Sequence, residues 1–429
     1  MKKLFSILLI FILMIVNIPL KVDAAEDKIN VVADSAVLMD AATGEILYSK
    51  NMDDAYPPAS TTKTMTALLT FENCKLDDVV TTPKDFTSKN LALLDGNSIV
   101  LDNEEQIKVK DLLYALLLRS ANDAAVALAV HISGSTEKFA ELMNKRAAEL
   151  GCTDTHFQNP NGLYDKDHKT SARDLALIMR ELAKHPEYTQ IATTATYNIE
   201  PTNKSDAKKS QLDRSLWNEN KLANKNFKSY YYEGCDGGKT GYTVQSMHSY
   251  VATAVRNGQR LVVALVHSKD NGFNDARALF DYGFSHYELK TLFKKGDKVS
   301  EYKVGNTTIP LVASDNFFYV TEKNSKDSPQ YNVNQQDITK KTFSKGDILL
   351  DTNVTMNGKK IGVLKLAAGI SNESAIKSVN LNNPTTNKFN LPILILLGVI
   401  ILLAVRIWLV AKRRKNKRKR IYNFQRRNS

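Results

Sequence analysis

Three short clusters in this 429-residue chain combine residue types suited to nucleophilic chemistry. In the first, Ser60-Thr61-Thr62-Lys63, the lysine lies one helical turn after the serine. It therefore shares a face with the hydroxyl, and a crowded or desolvated ammonium there can lose its proton and act as base to that hydroxyl. The second, Ser120-Ala121-Asn122, sets two short polar side chains at the end of the apolar Leu112–Leu118 run, where a rigid support can project them into a cleft. The third, Lys239-Thr240-Gly241, follows Gly237-Gly238 and precedes an expected strand. It offers a cation for a carboxylate, a hydroxyl beside it, and a glycine that lets a substrate approach the backbone. Each cluster also has an ordinary structural use, as helix N-cap, helix terminator and turn. Four other S-x-x-K matches occur, so the signal lies in the order of the clusters and their separations of 60 and 119 residues.

The elements that must position these residues are legible from periodicity. Ser60 follows Pro57-Pro58-Ala59 and opens a segment, Thr61–Phe71, whose Met65, Leu68 and Leu69 mark a buried helix. Val109–His131 and Ser171–Lys184 carry helical spacing. Ala36–Asp40 and Glu45–Tyr48 flank Ala42-Thr43-Gly44 as a hairpin would. Leu261–Val266 is a continuous apolar run suited to a central strand, and Val251–Val255 before Asn257-Gly258 reads as its hairpin partner. From about Leu289 to Leu381 the segments are short, alternating and turn-rich, which predicts a small all-β domain.

The net charge of +12, from 58 Lys and Arg against 46 Asp and Glu, is concentrated at the two ends. Residues 389–429 hold Arg406 and ten further Lys or Arg with no acid, and residues 1–24 hold Lys2, Lys3 and Lys21 against Asp23, which leaves −1 for residues 25–388. A strongly basic nucleic-acid groove is thereby excluded, and no nucleic-acid partner is expected. Residues 1–24 have the basic start, apolar run and small-residue finish of an export signal, with cleavage expected near Ala24/Ala25. Residues 391–411 are apolar apart from Arg406, and at about 1.5 Å per residue a helix of that length spans a hydrocarbon core of about 30 Å. The basic run from Lys412 to Arg420 assigns the tail to the cytoplasmic side. The expected organisation is a signal peptide at 1–24, a catalytic domain at 25–287 and a β-rich accessory domain at 288–381. A polar stalk at 382–390, a membrane helix at 391–411 and a cytoplasmic tail at 412–429 complete it.

There is no H-E-x-x-H, no G-x-S-x-G and no glycine-rich phosphate loop, and the seven histidines are scattered. Metalloprotease, α/β-hydrolase and nucleotide chemistry therefore lack their residues, and no metal or organic cofactor is expected. Cys74, Cys152 and Cys235 form no C-x-x-C pair; one bridge among them is open, with no spacing to select it. Cys235 lies four residues before Lys239, either near a working site or as a small buried residue.

From Ala33 to Tyr287 the chain resembles the D-alanyl-D-alanine carboxypeptidases, the low-molecular-mass penicillin-binding serine peptidases that trim peptidoglycan stem peptides. The resemblance rests on Tyr56–Lys63, Ser120–Ala125, Phe157–Leu163, His168–Asp174, Asn218–Asn220 and Asp236–Thr243. It implies an α+β fold of the penicillin-binding-protein and β-lactamase type, an antiparallel sheet flanked by helices with a helical lobe beside it and Ser60 at the junction. In that reading Ser60 is the acyl-ester nucleophile, Lys63 the general base, Ser120 the proton relay, and Asn122 the group that holds Lys63 and the substrate amide. Lys239 and Thr240, with Gly241 and Thr243 beside them, bind the terminal carboxylate, and the N–H groups of Ser60 and Tyr242 form the oxyanion hole. Stem peptides ending in D-Ala-D-Ala are the implied substrates and β-lactams the implied covalent inhibitors. The chain departs from the family where Ser246-Met247 replaces the usual Ala-Gly, which adds bulk near the expected cleft wall. A class A β-lactamase, a transpeptidase and a catalytically silent wall-binding scaffold remain as alternatives. Glu200-Pro201-Thr202-Asn203 lies too late in the chain for the deacylating element of the first.

Overall fold

Val262, Ala264 and Val266 point to one side of a strand and Leu261, Val263 and Leu265 to the other, and all six are fully buried. A strand so covered must run through the middle of a sheet with a layer on each face. The computed structural model, which describes residues 29–206, 214–304, 307–333, 342–371, 401–410 and 412–413, shows that arrangement. The strands are β1 (Ser35–Asp40), β2 (Ile46–Lys50), β3 (Val79–Thr81), β4 (Gln106–Lys108), β5 (Thr196–Asn198), β6 (Ser215–Trp217), β7 (Cys235–Thr243), β8 (Met247–Arg256) and β9 (Gln259–Ser268). The main sheet has the order β2-β1-β9-β8-β7 and is antiparallel throughout. The expected hairpin around Thr43 is β1–β2, and the expected pairing across Asn257-Gly258 is β8–β9.

The longer helices are α1 (Lys63–Asn73), α2 (Val109–Leu118), α3 (Asn122–Ser133), α4 (Thr136–Glu149), α5 (Ala172–Leu182), α6 (Pro186–Ala192) and α7 (Phe273–His286). On one face of the sheet Val37, Met39 and Val262 join the core formed by Met65 and Leu68 of α1 and Leu175 and Met179 of α5. On the other, Leu38, Leu261 and Leu265 join Leu279, Phe280 and Phe284 of α7. Burial of each Val, Leu or Phe contributes about 1.5–3 kcal/mol, so the β9 register is strongly held.

The helical spacing read over Val109–His131 is carried by two helices. The break is at Ser120, whose φ of 61° lies in the left-handed region. It is stabilised where Ala121 N–H donates to Ala115 O at 3.1 Å and Asn122 N–H to Asn97 O at 2.7 Å. Cluster three also differs from expectation: Lys239-Thr240-Gly241 lies within β7, the edge strand, where a turn leading into a strand was the ordinary alternative. Gly237 and Gly238 suit close packing, because a Cβ at either would come within 2.6 Å of the Tyr188 hydroxyl or the Asn220 amide.

Beyond α7 the described residues to 371 form strands and turns: β10 (Tyr287–Phe293), β11 (Lys298–Val304), β12 (Thr307–Ala313), β13 (Phe317–Glu322), β14 (Gln330–Tyr331), β15 (Ile348–Met356) and β16 (Lys359–Ala368). β10 pairs antiparallel with β13, and β14 with β15. Among the described residues one compact unit comprises those up to Val299 with Ala313–Asn334 and Leu350–Leu366, and a second comprises Ser300–Val312, Gln335–Leu349 and those from Ala367 on. Among them no helix is long and apolar enough to cross a membrane. Of the segment expected to span, residues 401–410 are described; they are helical and exposed. The rest of that segment, the signal peptide, the stalk and all of the tail except 412–413 lie outside the described residues.

Candidate active site

Ser60 sits in a 3₁₀ turn, Ala59–Thr62, that feeds α1, and its side chain caps neither helix. The turn is held by Thr61 Oγ1 donating to Pro58 O at 2.7 Å, and Ala59 adopts a left-handed φ of 49°. A non-glycine residue so placed costs on the order of 1–3 kcal/mol, strain that functional turns store. Lys63 is fully buried, and its Nζ meets Ser60 Oγ at 3.0 Å, Asn122 Oδ1 at 2.7 Å and Asn161 O at 2.7 Å. Asn122 Oδ1 and Asn161 O can only accept, so two N–H bonds are committed to them and the third tetrahedral position faces Ser60. Burial, then the charge of Lys239, lowers the Lys63 pKa well below the usual lysine range, against the opposing carboxylates of Glu219 and Asp123. Once neutral, this amine points a lone pair at the serine hydroxyl, the geometry of a general base.

Asn122 begins α3 and is fixed at both ends of its amide: Oδ1 accepts from Lys63, and Nδ2 donates to Asp95 O. Ser120, just before it, lines the same cleft at 5% exposure. The cleft has a volume of about 480 Å³ and is bordered by Ser60, Ser120 and Asn122 on the helical side and by Thr240, Gly241, Tyr242 and Thr243 on β7. Lys63 and Lys239 lie behind that surface, both almost wholly buried. Lys239 Nζ donates to Thr240 O at 2.8 Å, and burial pulls its pKa down to about 8 against the field of Glu219. Gly241 has a different task from the one its sequence context suggests. A Cβ there would come within 2.9 Å of Ser60 N and Pro58 O and 2.6 Å of Ser249 Oγ, so glycine lets β7 approach the backbone of Ser60 itself. β7 pairs only with β8 in the sheet and presents its other edge to the cleft, as a strand does when it takes up an extended peptide. All nine candidate residues are thus gathered at one place, from three segments far apart in the chain.

Residues 21–270 match the D-alanyl-D-alanine carboxypeptidase family, and residues 287–373 match the penicillin-binding protein 5 C-terminal domain. The chain is 35% identical to D-alanyl-D-alanine carboxypeptidase DacF of Bacillus subtilis over 71% of its length and 76% of the relative's. It is 30% identical to DacC of Escherichia coli, over 79% and 84% of the two chains. The crystal structure of penicillin binding protein 5 from Haemophilus influenzae superposes with a TM-score of 0.66 at 27% identity, covering 80% of this chain and 98% of that one. The chain belongs to the D-alanyl-D-alanine carboxypeptidase family. Its fold is that of the penicillin-binding proteins and β-lactamases, followed by a C-terminal all-β domain.

The departure from the family pattern has a structural correlate. Met247 takes a left-handed φ of 53° at the β7–β8 turn, a conformation that glycine adopts without strain. Its neighbour His248, and not Met247 itself, lines the cleft, with its ring 4.6 Å from that of Tyr242. Cys74, Cys152 and Cys235 are all free thiols, and Cys235 is buried with Sγ 3.5 Å from Gly237 O. Burial pushes its thiol up to about 12, which makes it a packing residue. Four further participants receive no role from the sequence, although Asn161, His168 and Glu219 lie in stretches that carry the family resemblance and only His248 lies outside them. Asn161 acts through its carbonyl, so its side-chain type is not what the site reads. His168 supports the nucleophile turn: Nδ1 accepts from Gln158 N at 3.1 Å, which leaves Nε2–H to donate to Thr62 Oγ1 at 2.9 Å. Glu219 and His248 reach the cleft only through the tertiary fold.

Proposed function

We propose that the chain is a serine D-Ala-D-Ala carboxypeptidase that removes the terminal D-alanine from peptidoglycan pentapeptide stems. The observation that carries the reading is the buried amine of Lys63, held by two carbonyl acceptors with its remaining position on Ser60 Oγ. In this reading Lys63 takes the Ser60 proton as Oγ attacks the carbonyl between the two D-alanines. Oriented N–H groups of Ser60 and Tyr242 stabilise the oxyanion, an effect worth about 10²–10³ in rate per donor. Ser120 passes the proton to the leaving amine, and the acyl-enzyme and free D-alanine result. Lys239, Thr240 and Thr243 hold the terminal carboxylate, and water then hydrolyses the ester. A β-lactam, which presents a strained amide and a carboxylate in the same relation, acylates Ser60 by the same steps.

Purified full-length protein in detergent, given a pentapeptide ending in D-Ala-D-Ala, is expected to release D-alanine, and Ser60→Ala to abolish both release and labelling by fluorescent penicillin. Undiminished release from Ser60→Ala would remove the proposed nucleophile. Fast penicillin hydrolysis without D-alanine release would mark a β-lactamase, transfer of the acyl group to an added amine a transpeptidase, and absence of all three a scaffold.

The proposal extends to location: an exported, membrane-anchored enzyme with its catalytic domain outside the cell and its tail in the cytoplasm. The export pattern of residues 1–24, the apolar run 391–411 and the basic run after it support this reading.

A further inference from the structure

The cleft carries a carboxylate that the proposed reaction does not use. Glu219 lies two residues after β6, and its N–H donates to Leu118 O at 3.1 Å, which docks it on the end of α2 beside Ser120. Its carboxylate accepts from Asn97 Nδ2 at 3.3 Å and faces Arg119 Nη1 at 3.9 Å. Arg119 also lies over the Trp217 ring, 4.2 Å from the centroid, so its guanidinium is shared between the ring and the carboxylate. The Glu219 side chain is 27% exposed and lines the cleft.

Behind that wall lie two buried lysines whose Nζ atoms touch no acid: the partners of Lys63 are Ser60, Asn122 and Asn161, and that of Lys239 is the Thr240 carbonyl. The chemistry asks opposite things of them. Lys63 must be neutral to take a proton, and Lys239 must be charged to hold a carboxylate. Like charges on two buried groups oppose each other, and a fixed negative charge beside the pair favours the second state without abolishing the first.

We propose that Glu219 is a positioning residue that sets the charge balance between the two lysines, keeping Lys239 an ammonium while Lys63 serves as base. This rests on the roles given above to Lys63 and Lys239. Burial draws Lys239 down to about 8, and Glu219 supplies the opposing field. Burial and the charge of Lys239 lower Lys63, with Glu219 opposing more strongly than Asp123. The other charged groups around the pair differ in placement. Asp123 is tied to Ser98 Oγ at 2.6 Å and to Leu101 N at 3.0 Å. His168, held down at about 4 by burial, is uncharged near neutrality. Lys221 lies 4.8 Å from the Tyr230 ring centroid, and Asp95 and His248 stand on the open wall.

The test is the pH dependence of kcat/KM for D-alanine release by the full-length enzyme from pH 5.5 to 10. The native profile is expected to be a bell: the rising limb follows deprotonation of Lys63, and the falling limb near pH 8 follows loss of charge on Lys239. Removing the carboxylate lowers both lysines, so Glu219→Gln is expected to move both limbs to lower pH, the falling limb by about half a unit or more. KM should rise several-fold at pH 8, and kcat should change less. Glu219→Asp keeps the charge and is expected to keep the native limbs, although it disturbs the Asn97 contact. Glu219→Thr gives the same readout if the glutamine variant does not fold. Lys239→Arg, which cannot lose its charge, separates the two levels of the inference. If it leaves the falling limb in place, the role of Lys239 is wrong and the proposal falls with it. If it removes the limb, yet Glu219→Gln and Glu219→Thr only lower activity uniformly with pH, Glu219 merely props the segment and the proposal alone is overturned.

Discussion

At the residue scale, the proposed reaction asks one buried amine to give up its charge and another to keep it. In that proposal Lys63 serves as base without a histidine: its third position can face Ser60 only because Asn122 and Asn161 occupy the other two. Both partners are neutral, and that neutrality is functional. Asn122→Asp would place a carboxylate where an amide oxygen now lies 2.7 Å from Nζ. An opposite charge at that range favours the ammonium by about 1–3 pKa units. The rising limb of kcat/KM should therefore move to higher pH and run into the falling limb set by Lys239 near pH 8. A narrower bell with a peak about tenfold lower or more is expected. A ratio of variant to native activity that stays constant from pH 6 to 9 would show that Asn122 acts on geometry alone.

At the element scale, the site requires an edge strand and a helix turn to approach more closely than side chains allow. Gly241→Ala tests this directly. The added methyl would collide with Ser60 N, Pro58 O and Ser249 Oγ, two of them backbone atoms, so β7 must move away from the nucleophile. Acylation by penicillin should fall by about 10², the scale of a misplacement of about 1 Å, with little change in the circular dichroism spectrum. Normal acylation by Gly241→Ala would mean the strand can relax without cost. The turn itself is backed by His168, whose ring is buried against Phe157 and bonded to Thr62. Burial lowers its pKa to about 4, so between about pH 6.5 and 4 the unfolded chain takes up a proton that the native ring refuses. Stability from this group is complete above about pH 6.5 and falls through that window by roughly 3 kcal/mol. Urea midpoints at pH 7.5 and 4.5 should differ less for His168→Gln than for the native chain, and equal differences would remove the histidine from the account. These elements also mark where the sequence stops being legible. The six apolar residues of β9 and the Asn257-Gly258 turn declare a central strand because both faces are buried and every position is apolar. At Ser120 the polar residues mark the end of the Leu112–Leu118 run, but the apolar rhythm resumes over Ala124–Val130, and the left-handed turn between the two helices is set by a local bond to Ala115 and a tertiary one to Asn97 that the sequence does not display. Gly237-Gly238 reads as a turn because the same residue that permits a turn also permits the close packing it has here against Tyr188 and Asn220.

At the scale of the whole molecule, the charge of the chain is concentrated at its two ends. The +12 total shrinks to −1 over residues 25–388, so the basic character belongs to the two ends and says little about the catalytic surface. A nearly neutral body followed by ten Lys and Arg between Lys412 and Arg427 suits the anchored, externally facing enzyme proposed above. In the proposed topology the basic residues would resist translocation and hold the tail inside, and the apolar 391–411 segment would have the length that a bilayer core asks for. Arg406, five residues from the inner end of that segment, can extend its stem toward the cytoplasmic interface. Deleting residues 391–429 should therefore move the penicillin-labelled protein from the membrane to the soluble fraction. Protease added to cells stripped of their wall should digest the native catalytic domain and leave an epitope placed after Ser429 intact. Retention of the shortened chain in the membrane would assign anchoring to another segment. Loss of the epitope with survival of the catalytic domain would reverse the orientation.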